Sequence, residues 1–235
     1  MTDHTIVFIS GVSRGIGKAL AAAYLSRPNH RVIGSIRNSS PPEGVEELSL
    51  SPTANGSSLM LVKIESTNPE DPERVLQEMI VAGVDRLDIV ISNAGGSPVP
   101  PSPLESVSAE ELLSVYHTNV IGPLRLFQVF KPLLQKSKTP KWIWQSSIGG
   151  SITSMAQTSS WIAPSYGASR AASNWIASLV QTPSGNWVAQ QIGMEKAPIT
   201  MELCVERIMT LVDGATRNKV SGKFISTVEG IELPW

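Results

Sequence analysis

Short runs of β-branched and aliphatic residues recur along the chain, each followed by a stretch whose apolar positions have helical spacing. The runs are TIVFIS (5–10), RVIGS (31–35), LMLVKI (59–64), DIVIS (88–92), KWIWQ (141–145) and KFIS (223–226). Amphipathic stretches fall between them at 15–26, 72–82, 109–136, 165–180 and 200–213. Strand alternating with helix, with strands apolar throughout, predicts parallel strands covered on both faces: an α/β, doubly wound sheet. The segments 38–58 (NSSPPEGVEELSLSPTANGSS) and 95–103 (GGSPVPPSP) read as loops. They lie inside the alternation, so residues 1–235 are expected to form one domain. Ligands of such sheets bind beyond the carboxyl ends of the strands, and the informative residues should follow strands.

Composition narrows the partners. The 235 residues are 41% hydrophobic and 17% charged, enough for a sizeable core. A net charge of −1 without a basic block argues against nucleic acid and anionic membrane as partners. The single cysteine, Cys204, shares an apolar helical stripe with Met201, Ile208 and Leu211 and reads as packing in a reducing compartment. MTDHTIVFISG enters a strand at once, without the layout of a signal peptide, and the nearly apolar stretches are too short to cross a bilayer. A cytoplasmic protein is expected.

The first strand runs into SGVSRGIGKAL (10–20) and a helix. Gly11 allows a tight turn, Gly15 lets backbone approach a pyrophosphate, and Gly17 permits close helix–strand packing. The helix N-terminus then offers free N–H groups to phosphate oxygens. A plain tight turn is the competing reading, and the position between strand and helix favours the phosphate loop.

The G-x-x-x-G-x-G spacing of GVSRGIG, together with SNAGG (92–96) after the fourth strand, resembles the short-chain dehydrogenase/reductase family over almost the whole chain. The resemblance implies a Rossmann-type domain in which Ser13, Arg14 and Ile16 complete the loop. It implies that Asn93 and Gly95 support the sheet and the adenosine side of a nicotinamide cofactor. NAD enzymes of this kind place a carboxylate at the end of the second strand, about 20 residues past the loop, to bind the ribose 2′-OH. Here that position holds Arg37, and Arg14 adds a second guanidinium, so NADP(H) is the expected cofactor, the competing reading of Arg37 being a solvated strand end. Glu65 stands where the family carries an Asp beside the adenine. Arg125 matches a basic position of close relatives or is a solvated surface cation.

Carbonyl reduction by a nicotinamide needs a proton donor at the carbonyl oxygen, and a phenol beside a fixed cation gives up and regains its proton readily. Tyr166 and Arg170 lie four apart, on one face of a helix. In the family this is the Tyr-x-x-x-Lys pair, which makes Tyr166 the general acid/base. The serine of the family follows the fifth strand in a Ser-Ser pair, here Ser146 and Ser147, of which the second is the expected ligand of the substrate oxygen. Asn119, in HTNVIGP (117–123), completes the family's tetrad, with a side chain able to hold a relay water; neighbouring His117 reads as structural. Met155 and Trp161 form either an aromatic substrate wall or ordinary loop packing. The segment 197–235 resembles sniffer-type carbonyl reductases and fungal norsolorinic acid ketoreductase-like enzymes, which act on bulky carbonyl substrates, several in secondary-metabolite pathways.

Two departures from the family bear on activity. Arg170 replaces the lysine; a guanidinium keeps the charge but is bulkier and a poor proton relay. The family's sixth strand and Pro-Gly turn have no counterpart after Val180, so the sheet is expected to lack a strand there, with Thr182 the candidate for the nicotinamide carboxamide contact. The expected function is NADPH-dependent reduction of a ketone on a small-molecule substrate. The alternatives are an impaired family member that binds nucleotide or a partner, and a repurposed non-redox lyase or cyclase. Family members associate through helices equivalent to 109–136 and 165–180, implying a homodimer or homotetramer.

Overall fold

The computed structural model describes residues 4–37, 43–174, 176–177, 200–216, 223, 225–226 and 230–233. Five parallel strands form the sheet: β1 (Thr5–Ser10), β2 (His30–Ile36), β3 (Ser58–Lys63), β4 (Ile89–Ser92) and β5 (Lys141–Trp144). Their order is β3-β2-β1-β4-β5. Val7 of β1 pairs with Val32 on one side and Ile89 on the other. The strand order thus reverses at β1, and a crevice is expected beyond the ends of β1 and β4. These runs form strands because they are β-branched and aliphatic on both faces, which suits a sheet covered on both sides.

The helices are α1 (Gly15–Leu25), α2 (Glu43–Leu50), α3 (Asp71–Val81), α4 (Ala109–Tyr116), α5 (Gly122–Leu134), α6 (Pro164–Ala172) and α7 (Met201–Gly214). On one face of the sheet, Ile6, Phe8, Ile33 and Val90 pack with Val75 and Met79 of α3 and Leu126 and Phe130 of α5. Phe8 and Phe130 meet edge to face at 4.8 Å, worth about 0.5–1.5 kcal/mol beyond their burial. Val7 and Ile9 alternate to the other face and are fully buried. The chain divides into two compact units, Met1–Ala94 with Ile121–Ile143, and Gly95–Val120 with Trp144–Trp235.

Four sequence expectations are corrected. Part of the 38–58 segment is helical: Val45 and Leu48 of α2 are buried, and these apolar positions one turn apart hold a helix within polar, turn-rich sequence. The stretch expected as one helix over 109–136 is interrupted by a π-helical turn, His117–Ile121. Pro123 follows that turn in α5, and proline offers no N–H to the regular ladder. The helix expected over 165–180 ends at Ala172, with Ser173 and Asn174 at its exit, and Ile176–Ala177 is a strand, β6. The KFIS run does not join the main sheet; its Ile225–Ser226 (β7) pairs in parallel with β6. The strand expected to be missing after Val180 falls outside the described residues.

Of the expected stripe Cys204 and Ile208 are buried while Met201 and Leu211 are half-buried; Val205, Met209 and Val212 complete the buried face, and Thr200 caps α7 by accepting from the Leu203 N–H. No helix among the described residues is long and apolar enough to cross a membrane. Among the same residues no group of three or more His, Cys, Asp or Glu side chains could hold a metal ion.

Candidate active site

The glycine-rich turn leaves the end of β1 in the first unit. Gly11 has φ +75° and a Cβ there would lie 3.1 Å from the Ala94 Cα, so both the left-handed backbone and the close approach demand glycine. A Cβ on Gly17 would run into the Gly11 carbonyl and the Asn93 amide. Gly15 also has positive φ (60°), yet nothing among the described residues lies within 4 Å of where its Cβ would be. The turn is therefore packed tightly at Gly11 and Gly17 and open at Gly15. Arg14, the N-cap of α1, makes no side-chain cap bond, and the first turn of α1 holds no acidic residue. Free N–H groups and a positive dipole end are left for an anion, flanked by the half-buried Ser13 and Ile16.

Asn93 braces this turn. Its Nδ2 donates to the carbonyls of Ser10 (2.9 Å) and Gly11 (3.2 Å), while the Ser10 hydroxyl accepts from the N–H groups of Asn93 and Ala94. Arg37 ends β2 in an exposed position, as Arg14 is exposed at the loop. Beyond β1, β3 and β4 a cleft is lined by Ser10, Glu65, Asn68, Ser92, Arg125 and Leu126. The buried Ser92 hydroxyl in its lining has no hydrogen-bond partner among the described residues. The cleft wall at Glu65 is fixed by Asp71, whose carboxylate accepts from the Glu65 N–H (2.7 Å), the Asn68 amide (3.1 Å) and Arg74 (3.0 Å). The Asp71 hydrogen bond is the main cause that raises the Arg74 guanidinium above its ordinary value. Arg125 donates to the Pro69 carbonyl at 3.2 Å, so the cation lines the cleft.

The hydroxyl cluster lies in the second unit. The Arg170 guanidinium carbon sits 5.1 Å from the centroid of the Tyr166 ring, as the four-residue spacing on α6 requires. Arg170 is buried, and its Nη1 donates to the Gln145 carbonyl at 2.9 Å. Its Nε has no hydrogen-bond partner among the described residues. Gly95 makes room for this longer side chain: a Cβ there would collide with Nη2. Ser147 caps the short 3₁₀ turn Ile148–Gly150, its Oγ accepting from the Gly149 N–H at 3.2 Å and its own O–H left to donate. A Cβ on Gly149 would lie 3.4 Å from Ser147 Oγ and 3.7 Å from Tyr166 Cε1, so serine and tyrosine converge on the bare face of that glycine. Ser146 is turned inward, donating to the Arg170 carbonyl at 3.4 Å.

Asn119 lies in the π-helical turn and is fully buried. Its Oδ1 accepts from the Gly96 N–H (2.9 Å), and Nδ2 donates to the Gly96 carbonyl (2.9 Å) and Ser169 Oγ (2.8 Å). Both amide hydrogens are used, and the side chain ties the Gly96 backbone to α6. His117 is exposed, and Met155 and Trp161 are exposed rather than packed in a loop core. Thr182 lies outside the described residues. Sequence reasoning missed Ser169, Gln145 and Asp71. Ser169 was findable, one turn from Tyr166 on the same helix, and so was Asp71, whose partners Glu65, Asn68 and Arg74 are close in sequence; Gln145 acts through its backbone carbonyl, which no local pattern announces.

Comparison with known proteins shows the family and the fold. The family described as short chain dehydrogenase matches residues 5–190. The short-chain dehydrogenase srdF of Neurospora crassa is 45% identical, the alignment covering 100% of this chain and 99% of that protein. It runs over 255 positions against 235 residues here, so that relative carries residues this chain lacks. A norsolorinic acid ketoreductase of Dothistroma septosporum is 31% identical over 100% of this chain and 94% of its own. Two solved structures share the fold. The carbonyl reductase Sniffer of D. melanogaster has a TM-score of 0.81 at 20% identity, covering 99% of this chain and 100% of its own. An NADPH-bound carbonyl reductase from chicken fatty liver has a TM-score of 0.82 at 23% identity, covering 99% of both chains.

Proposed function

The chain belongs to the short-chain dehydrogenase family, and from that premise we propose that it is an NADPH-dependent ketoreductase with Tyr166 as proton donor. The observation that carries the reading is the convergence of Ser147 and Tyr166 on the bare face of Gly149, with the Arg170 cation over the tyrosine ring. The open, positive-φ Gly15 and the uncapped start of α1 suit a pyrophosphate, and the exposed Arg14 and Arg37 suit a 2′-phosphate. Gly11, Ser13, Ile16 and Gly17 shape that loop, Asn93 braces it, and Glu65 and Arg125 border the cleft assigned to the adenosine end. When bound, the nicotinamide supplies a hydride equivalent to the carbonyl carbon.

The protein's own groups then manage the oxygen. The free O–H of Ser147 donates to the carbonyl oxygen and holds it beside the tyrosine. Tyr166 transfers its phenolic proton to that oxygen as negative charge develops there. Arg170 stabilises the phenolate left behind, through the ring face. A guanidinium keeps its protons, so Tyr166 is reprotonated by water rather than through residue 170. Asn119 and Gly95 hold the loop against which Arg170 packs. The resemblance to norsolorinic acid ketoreductases favours a bulky, aromatic ketone, and the exposed Met155 and Trp161 are available to line its path.

A second reading is favoured by Arg170 itself: a nucleotide-binding family member with weak turnover, since the buried guanidinium cannot act as the family's lysine does. Calorimetric titration with NADPH and NADH, followed by loss of NADPH absorbance with a panel of aromatic ketones, separates the two. Oxidation of NADPH supports the reductase, binding without oxidation supports the second reading, and no binding overturns both.

A further inference from the structure

We propose that Glu111 is a positioning residue: its carboxylate ties the proline-rich loop 97–107 to the first turn of the helix that carries Tyr166. The inference rests on the reading of Tyr166 as proton donor.

Ser108-Ala109-Glu110-Glu111 has the sequence of a capping box, in which the serine accepts from the third helical N–H and the glutamate returns to the serine N–H. Only the first half follows that pattern: Ser108 Oγ accepts from the Glu111 N–H at 3.1 Å. The carboxylate of Glu111 is directed elsewhere. Its Oε1 accepts from Ser165 Oγ at 2.7 Å and its Oε2 from Ser102 Oγ at 2.5 Å. Glu110 takes the place at the start of α4, where its own N–H and then the Ser108 hydroxyl hold its carboxyl below the ordinary value. The helix end is thus served by one acid, and the next is free to bridge two segments.

The bridge to Ser165 bears on Tyr166 through the start of α6. α6 begins without a side-chain cap at Ala163 and with Pro164 in its first turn, so its start lacks the usual local anchor. Ser165, almost completely buried, supplies one through the Glu111 carboxylate, and the tyrosine is the next residue. One turn on, Ser169 donates to the Tyr166 carbonyl and receives the Asn119 amide. The helix turn that carries Tyr166 is therefore held at two points, by Glu111 at the helix start and by the Asn119–Ser169 pair one turn on. The other oxygen of Glu111 holds Ser102, next to the turn in which Ser106 and Val107 donate to the Pro103 carbonyl. Hydrogen bonds to a carboxylate are shorter and about twice as strong as neutral ones, which suits a two-way clamp on otherwise irregular chain.

The test uses the full chain and the variants Glu111→Ala, Glu111→Gln and Ser102→Ala, with two readouts. Amide hydrogen exchange over 97–107 and 163–172 needs no substrate. In Glu111→Ala exchange is expected to rise about tenfold in both segments, and in Ser102→Ala in the loop alone. In the ketone assay, Glu111→Ala is expected to lower kcat roughly 10- to 100-fold while KM for NADPH stays within about twofold. Glu111→Gln, which keeps one acceptor and gains a donor for the two hydroxyls, is expected to recover most of kcat. Unchanged exchange in Glu111→Ala overturns the proposal, as does faster exchange with unchanged kcat. Equal losses in the Ala and Gln variants together with a lowered Tm also overturn it, since they mark a general folding defect. If the unmodified protein reduces no ketone, the reductase reading falls, and the exchange comparison still decides the clamp.

Discussion

Arg170 lies with its guanidinium carbon 5.1 Å from the centroid of the Tyr166 ring, while its Nη1 is held by the Gln145 carbonyl. The cation is fixed by backbone on one side and faces the aromatic ring on the other. A lysine at this position reaches out as a point charge; the arginine is instead built into the core of the second unit, with Gly95 as the space it occupies.

Arg170→Lys is therefore expected not to raise turnover, even though it restores the family's residue. The shorter ammonium gives up the planar contact and leaves the Gln145 carbonyl without its donor, a loss of about 1–3 kcal/mol in stability. Thermal unfolding and ketone-dependent NADPH oxidation measure the two effects, and a tenfold or greater gain in kcat, about 1.4 kcal/mol, would show that the arginine is only a handicap.

Tyr166→Phe removes one hydroxyl and keeps the ring beneath Arg170. Turnover is expected to fall by at least about 100-fold, the usual share of general acid catalysis. NADPH affinity, measured by titration, should be nearly unchanged. Normal turnover in this variant moves the proton donor elsewhere, with Ser147 the first candidate.

Arg37→Asp tests cofactor choice. A charge-assisted contact to a 2′-phosphate contributes roughly 1.5–3 kcal/mol, one to two decades in affinity. The preference for NADPH over NADH is expected to narrow by that amount or reverse. Equal affinities of the unmodified protein for both nucleotides would show that Arg37 does not select the cofactor.

Gly17→Ala is expected to disrupt the phosphate loop. The added methyl meets the Gly11 carbonyl and the Asn93 amide, and one of these is backbone that cannot turn aside. Gly15→Ala meets no neighbour but must hold a left-handed backbone, at about 1 kcal/mol. Nucleotide titration should show the larger loss for Gly17→Ala; the reverse order would mean that conformation matters more here than space.

Asp71→Ala removes the acceptor for Glu65, Asn68 and Arg74 from a buried position. Destabilisation of about 2–4 kcal/mol is expected, read from denaturant unfolding, because the Glu65 N–H and the Asn68 amide lose their partner. Nucleotide affinity should weaken as well, since the same carboxylate sets the wall of the cleft.

What the sequence determined by itself is everything whose cause is local. Uniformly apolar, β-branched runs such as TIVFIS and DIVIS cannot be solvated on either face, which dictates buried parallel strands with helices between them. Gly11 and Gly15 announce a turn with positive φ, and the four-residue spacing of Tyr166 and Arg170 places both on one side of a helix whatever surrounds it. Tertiary structure decided what depends on segments far apart in the chain. Asn119 reaches Ser169 across 50 residues and Glu111 reaches Ser165 across 54, so neither the amide's commitment nor the carboxylate's diversion from its capping box is written in neighbouring residues. The same holds for the pairing of β6 with β7, and for the helix at Glu43–Leu50, where burial of Val45 and Leu48 overrides a turn-rich local composition. Local propensities are worth tenths of a kcal/mol per residue, whereas a buried contact or a satisfied buried hydrogen bond is worth about one or more, so where the two conflict the tertiary contact prevails.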